Sequence, residues 1–391
     1  MDSKKFKLKS ETLKRCKVVK IEPSDVNRLV PISLEFFSFL YQTKAINFSI
    51  YFRIDTTLVE FMKPDELSKE LLDDMWMASQ KNFDDLSICI LRRDRPKFDA
   101  VIESVRISKM DELSRKLTGL DQKTLDLYGS ISSMSQLIVQ GGIDSGVAER
   151  VKASAAYLVS NVVDSDASID TLSRMITCDP TLYDHSATVA MLATVISTRL
   201  LPKPLSPKEA EHVAQCALYH DVGKTCVPNH ILNKPGAYTP EEFAVMKTHT
   251  TSGHEELIKA IKAGAPIAQI AARVALEHHE KIDGKGYPLG RKGKLEDDKV
   301  NGIHLYTRIV TISDIYSALL MKRVYKPAYE PQDAVKIMAE MSPGLDPDIF
   351  PVFLRGVVGS LNNHQQKMHG KGRILTIDPE TGHLMEHKKV G

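Results

Sequence analysis

All thirteen histidines of this 391-residue chain lie from His185 onward, and none precedes that position. Histidine is the commonest metal ligand and a frequent proton carrier, so histidine chemistry is confined to the second half of the chain. There, five histidines and two aspartates stand apart: His185, His220-Asp221, His249, His278-His279 and Asp314. Each sits on or at the end of a predicted helix. A chain that must bring such positions to one point is constrained towards a helical bundle, whose helices can project ligands inward to a common centre.

Imidazole and carboxylate groups suit a divalent first-row metal, and no thiolate is placed to join them. Seven side chains are too many for one ion and fit two. A bridging Asp221 gives each ion four protein ligands and leaves positions open for water and substrate. A metal pair about 3.5–4 Å apart can activate a water and clamp a phosphodiester for in-line displacement. The five cysteines, Cys16, Cys89, Cys178, Cys216 and Cys226, are scattered without a CxxC pair. An odd, sparse set fits a reducing compartment, so the expected location is the cytoplasm.

The charge balance, 52 Lys and Arg against 50 Asp and Glu, argues against a mainly nucleic-acid-binding protein. No apolar run approaches the roughly 20 residues of a membrane span. The N-terminus is charged without an apolar segment behind it, unlike a secretory signal. Its lysine-rich start reads as a solvated end.

The length suggests two or three domains. Residues 1–95 read as a small α+β regulatory or interaction domain. KVVKIE at Lys17–Glu22 has the texture of a short strand. Ile46, Phe48, Ile50, Phe52 and Ile54 alternate with mostly polar neighbours, the period of a half-buried strand. Leu58–Met62 can pair with it through a turn at Asp55–Thr57. Pro64–Gln80 reads as a helix and Leu86–Leu91 as another strand. Residues 96–164 are expected to be a helical connector, with Gly141-Gly142 as a break and Asp144 or Ser145 as the next cap; this stretch is a candidate dimer stalk. Residues 165–365 are expected to be all-α. Ser206-Pro207-Lys208-Glu209 and Thr239-Pro240-Glu241-Glu242 are capping boxes, and later helices fall near Pro266–His278, Ile303–Met321, Pro331–Met341 and Pro347–Asn362. In the tail, residues 366–391, Arg373–Asp378 and His383–Glu386 flank Pro379-Glu380-Thr381-Gly382, a pattern that predicts a β-hairpin. The fold class is therefore α+β overall: a small α+β module, then an all-α bundle with a short C-terminal β-hairpin.

His220-Asp221-Val222-Gly223-Lys224, together with His278-His279-Glu280 and Asp283-Gly284-Lys285-Gly286-Tyr287-Pro288, resembles the double signature of the HD-GYP family. These are bacterial metal-dependent phosphodiesterases of cyclic di-GMP within the HD superfamily. Ile231-Leu232-Asn233-Lys234-Pro235-Gly236 and Met246-Lys247-x-His249 also stand where that family has similar segments. The resemblance runs from about Asp179 to Asn362. It implies that His185, His220, Asp221 and Asp314 hold one metal, and that Asp221, His249, His278 and His279 hold the second. Iron is the implied metal, with manganese close behind. It also implies that Lys224 contacts the scissile phosphate, that Tyr287 lines the substrate site, and that Arg323 and Lys326 hold ligand phosphates. The implied reaction is water-driven opening of cyclic di-GMP to linear pGpG, and in some members onward to GMP. The alternatives are a cyclic di-GMP receptor with little turnover, or a phosphodiesterase of another cyclic dinucleotide. Two positions depart from the family pattern. Thr181 stands where some members have a glutamate ligand for a third metal, which implies two metals here. Ser317 stands where many have an aspartate, the feature that favours the receptor.

Overall fold

The computed structural model describes residues 17–20, 29–31, 40, 43, 45–54, 57–80, 86–116, 122–141, 143–164, 184–232, 234, 236–321, 329–368, 373–377 and 384–388. The chain divides into two compact units. The first comprises residues 1–109, 139–142 and 225–246; the second comprises 110–138, 143–224 and 247–391.

In the first unit, β1 (Lys17–Lys20), β2 (Leu29–Pro31), β3 (Ile50–Ile54), β4 (Thr57–Met62) and β5 (Leu86–Leu91) form one antiparallel sheet. The strand order is β1-β4-β3-β5-β2. The two-residue period sorts the side chains. Ile50, Phe52, Val59, Phe61, Ile88 and Ile90 pack in one core with Phe98 and Ile102 of the helix Arg95–Lys116. Tyr51, Leu58 and Cys89 form a smaller cluster from the alternate positions. Phe52 meets Phe61 edge-on at 4.6 Å, an arrangement favoured by the aromatic quadrupole. The alternation that starts at Ile46 becomes a strand only at Ile50, yet Ile46 and Phe48 are buried ahead of it. Of the turn expected at Asp55–Thr57, residues 55 and 56 lie outside the described residues, and Thr57 already opens β4. The helix expected at Pro64–Gln80 runs from Lys69 to Gln80. Asp65 has a φ of 64°, which a right-handed helix cannot include, and Ser68 Oγ accepts from Leu71 N–H at 3.2 Å to open the helix instead. Residues 225–246 carry their own small core of Val227, Ile231 and Met246. The capping box expected at Thr239 forms: Glu242 N–H donates to Thr239 Oγ1, and Thr239 N–H donates to Glu242 Oε2.

The second unit is a helical bundle. Its helices include Gln122–Gly141, Ser145–Asp164, His185–Val195, Pro207–Tyr219, His249–Lys262, Gln269–Glu277, Leu305–Leu320, Pro331–Glu340 and Ile349–Met368. Starts follow local chemistry. Asp144 Oδ1 accepts from Val147 N–H at 2.7 Å, and Ser206 makes the expected capping box with Glu209. The stretch 96–164 is shared between the units. The helix Arg95–Lys116 contributes Phe98 and Ile102 to the sheet core, while Leu127, Ile131, Val151, Leu158 and Val162 share one core with Leu192, Val213, Leu257, Val274, Ile309 and Phe353. β6 (Arg373–Ile377) and β7 (Leu384–Lys388) pair antiparallel as the expected hairpin, with Leu375 opposite Glu386. No described helix is long and apolar enough to cross a membrane.

Candidate metal centre

Five helices of the bundle deliver the seven side chains, four of them from helix ends. His185 and His249 are the first residues of their helices, His220 and His278 the C-caps of theirs, with Asp221 and His279 next in sequence; Asp314 lies within Leu305–Leu320. The C-cap placement has a direct consequence. His220 Nδ1 lies 2.7 Å from the carbonyl of Ala217, and His278 Nδ1 lies 2.9 Å from that of Ala275. Each Nδ1–H donates to a carbonyl three residues back, which leaves Nε2 with its lone pair turned towards the centre.

Two glycines let the backbones approach. A Cβ on Gly223 would lie 1.9 Å from the His249 carbonyl oxygen and 2.4 Å from Gly253 N. The turn after Asp221 therefore packs backbone to backbone on the helix that begins at His249. A Cβ on Gly286 would lie 2.4 Å from Glu280 Cα. The buried Glu280 carboxylate accepts from Leu289 N–H at 2.6 Å and from Arg291 N–H at 2.8 Å, which folds this loop back over the His pair. The Tyr287 ring then stacks on His279, with centroids 4.7 Å apart.

The ligand atoms converge. His185 Nε2 is 3.0 Å from Asp314 Oδ1 and 3.5 Å from Asp221 Oδ2, and His220 Nε2 is 3.3 Å from Asp221 Oδ2. Asp221 Oδ1 faces His249 Nε2 at 3.5 Å and His278 Nε2 at 3.6 Å, and those two nitrogens lie 3.3 Å apart. Ligands about 2.1 Å from one ion lie about 3.0–3.4 Å from each other, so these spacings fit coordination. His220 Nε2 and Asp221 Oδ1 are buried, with no hydrogen-bond partner among the described residues. Such atoms are costly to leave unsatisfied, and a cation between them removes the cost. Three groups could hold an ion: His185, His220 and Asp314; His249, His278 and His279; and His220, Asp221 and His278. The donor set of nitrogen and oxygen suits divalent metals.

Electrostatics favour the same state. Burial alone would raise the Asp221 and Asp314 carboxyls. Lys224 and His220 beside the first, and the His185 hydrogen bond to the second, hold both well below the usual carboxylate range. Burial, then neighbouring His278, lowers the pKa of His279 well below its ordinary value, which keeps the imidazole neutral and able to ligate. Burial, then Asp314 and Asp221, raises that of Tyr287, so it stays a phenol.

Lys224 is ion-paired to Asp221 at the rim. Arg323, Lys326 and Thr181 lie outside the described residues. Ser317 is fully buried, and its Oγ lies 3.0 Å from His185 Nδ1, where it fixes the ring. Asp184 caps its helix through Ala187 N–H at 2.9 Å, pointing away from ligand duty. Lys247, in the Met246-Lys247-x-His249 segment, carries its Nζ 5.8 Å from the Tyr287 ring centre. A cation two residues before a ligand histidine was the available signal. Thr311 gave none: its hydroxyl donates to the His278 carbonyl at 2.8 Å across 33 residues.

A family profile described as the HD domain matches residues 170–349. A cyclic di-GMP phosphodiesterase of Pseudomonas aeruginosa is 34% identical over 187 residues, 48% of this chain and 42% of that protein. A cyclic di-GMP phosphodiesterase of Thermotoga maritima is 38% identical over 137 residues, 35% of this chain and 34% of that protein. The 3'3'-cGAMP-specific phosphodiesterase 3 of Vibrio cholerae is 35% identical over 172 residues, 44% of this chain and 34% of that protein. The chain spans less than half the length of these curated relatives. Among solved structures, an HDG"Y"P protein from Bdellovibrio bacteriovorus shares the fold, with a TM-score of 0.51 at 18% identity over 85% of this chain and 99% of that one. Residues 170–349, which match the HD domain profile, carry both signature motifs.

Proposed function

We propose that the bundle is a binuclear metal phosphodiesterase that hydrolyses cyclic di-GMP to linear pGpG. The observation that carries this reading is the pair of buried, unsatisfied atoms His220 Nε2 and Asp221 Oδ1, ringed by His185, His249, His278 and Asp314 at ligand spacing. His185, His220, Asp221 and Asp314 would hold one ion, and Asp221, His249, His278 and His279 the other. Iron or manganese supplies Lewis acidity towards a phosphoryl oxygen and lowers the pKa of a water. The donor set alone does not choose between them.

The protein's own groups do the rest. The depressed carboxyls of Asp221 and Asp314 stay ionised throughout the neutral range. Lys224, half-exposed at the rim, can leave Asp221 for the scissile phosphate and offset charge that develops there. The Tyr287 ring stacks on one face of His279 and walls the site. Arg323 and Lys326 follow Asp314 in sequence at the spacing proposed for phosphate contacts.

A second reading is hydrolysis of 3'3'-cGAMP. It is favoured by the 35% identity to a relative named for that substrate. The test is hydrolysis by anaerobically purified full-length chain, loaded with iron or manganese, with the two cyclic dinucleotides in competition and products separated by chromatography. Opening of cyclic di-GMP that disappears in Asp221→Ala supports the first reading, and preferential opening of 3'3'-cGAMP the second. Tight binding with both rings intact after long incubation overturns the enzyme and leaves a receptor.

A further inference from the structure

His185 is the first residue of its helix, directly after the N-cap Asp184. Its position depends on Asp184. The Asp184 backbone N–H donates to Tyr128 Oη at 2.8 Å. Ser132 Oγ donates to Asp184 Oδ2 at 3.2 Å, while Oδ1 takes the Ala187 N–H of the cap. Tyr128 Oη also lies 3.4 Å from Thr188 Oγ1, one turn into the same helix. Tyr128 and Ser132 are four residues apart on the helix Gln122–Gly141, so they present one face. Both are buried, at 2% and 4% exposure. A phenol and a hydroxyl, shielded from water, thus spend their polar atoms on the residue next to a candidate ligand. Ser317 holds the other side of that ligand through Nδ1. His249, His278 and His279 stand on other helices.

We propose that Tyr128 and Ser132 are positioning residues for His185. Through them the helix Gln122–Gly141 sets the filling of the metal position built on His185, His220 and Asp314, and leaves the His249–His278–His279 position unaffected. The proposal rests on the two-metal reading above. Groups that orient a ligand from behind are commonly worth 10–100-fold in metal affinity, and a displaced helix terminus moves the imidazole itself.

The test is Mn²⁺ titration of the metal-free full-length chain, followed by electron paramagnetic resonance, for wild type, Tyr128→Phe, Ser132→Ala and the double variant, with His185→Ala as reference. Two neighbouring Mn²⁺ ions give an exchange-coupled signal, and a lone ion gives an uncoupled one. Wild type is expected to bind two ions and show the coupled signal. The variants are expected to fill one position normally and the other about 10-fold more weakly, with an uncoupled signal at one ion per chain like that of His185→Ala. Titrations identical to wild type overturn the proposal. So does equal weakening of both positions, which marks general destabilisation. If Tyr128→Phe lowers the folded fraction, Ser132→Ala carries the test, because it deletes one hydroxyl and leaves the ring packing in place; an unchanged titration in that variant also overturns the proposal. A wild type that binds a single ion overturns the two-metal reading itself, and this is seen before any variant is measured.

Discussion

A methyl group on Gly223 would sit 1.9 Å from the His249 carbonyl oxygen, so the smallest possible side chain drives Asp221 and His249 apart. Gly223→Ala is expected to cost about 3 kcal/mol of stability or more and to abolish metal retention, measured by denaturant unfolding and by metal analysis after gel filtration. Ser317 is a subtler case. It supplies a neutral oxygen to His185 Nδ1 at 3.0 Å, whereas a carboxylate there would make the imidazole a more basic donor. Ser317→Ala is expected to weaken the His185 position about 10-fold and Ser317→Asp to tighten it, read from Mn²⁺ titrations. The seven candidate ligands were legible because chemistry restricts which residues bind metals, and two dipeptides followed by glycines stand out in a sequence. Ser317, Thr311 and Tyr128 were not legible as supports. Ser317 and His185 lie 132 residues apart, Tyr128 and Asp184 56 apart, and serine, threonine and tyrosine hydroxyls are common enough that only the fold says which one meets a ligand.

Among elements, legibility followed length and period. β3, β4 and β5 are five or six residues long, with successive side chains sorted to two faces, and the sequence shows all three. β2 has three residues and ends in Pro31, too short to carry a period. Capping residues marked helix starts well, and Asp144→Ala is expected to cost about 1 kcal/mol in thermal unfolding, with metal binding unchanged. The helix Leu305–Leu320 begins on a less obvious cap: His304 Nδ1 accepts from Tyr306 N–H at 3.1 Å. Burial and then Arg273 lower the His304 pKa from 6.5 to about 4, with Arg308 adding to the effect and Glu296 opposing it. The unfolded chain therefore takes up this proton before the folded one does. Its contribution to stability is complete above pH 6.5 and declines as pH falls towards 4. His304→Asn keeps a capping oxygen and removes the titration, so its unfolding free energy is expected to be flatter than wild type between pH 6.5 and 4.

For the whole molecule, the sequence anticipated a sheet-bearing module and a bundle, but not that most of the helical stretch 96–164 builds the bundle. Leu127, Ile131, Val151 and Leu158 have ordinary helical spacing, and spacing does not say which partner a face covers. The candidate ligands come from five helices of this unit. Chelation is therefore expected to lower its melting temperature and restored Mn²⁺ to raise it, each tenfold rise of free ion above its Kd adding about 1.4 kcal/mol of stability. Differential scanning calorimetry at several metal concentrations measures this.

The ligands also have an order in time. They run from His185 to Asp314, and the last is held in the middle of a helix that ends at Leu320. On the ribosome the chain exposes His220, Asp221 and the His278-His279 pair well before Asp314 emerges, so the full set of candidate ligands cannot assemble while that helix is still inside the exit tunnel. Filling of the His185–Asp314 position is consequently a late event in the life of each molecule.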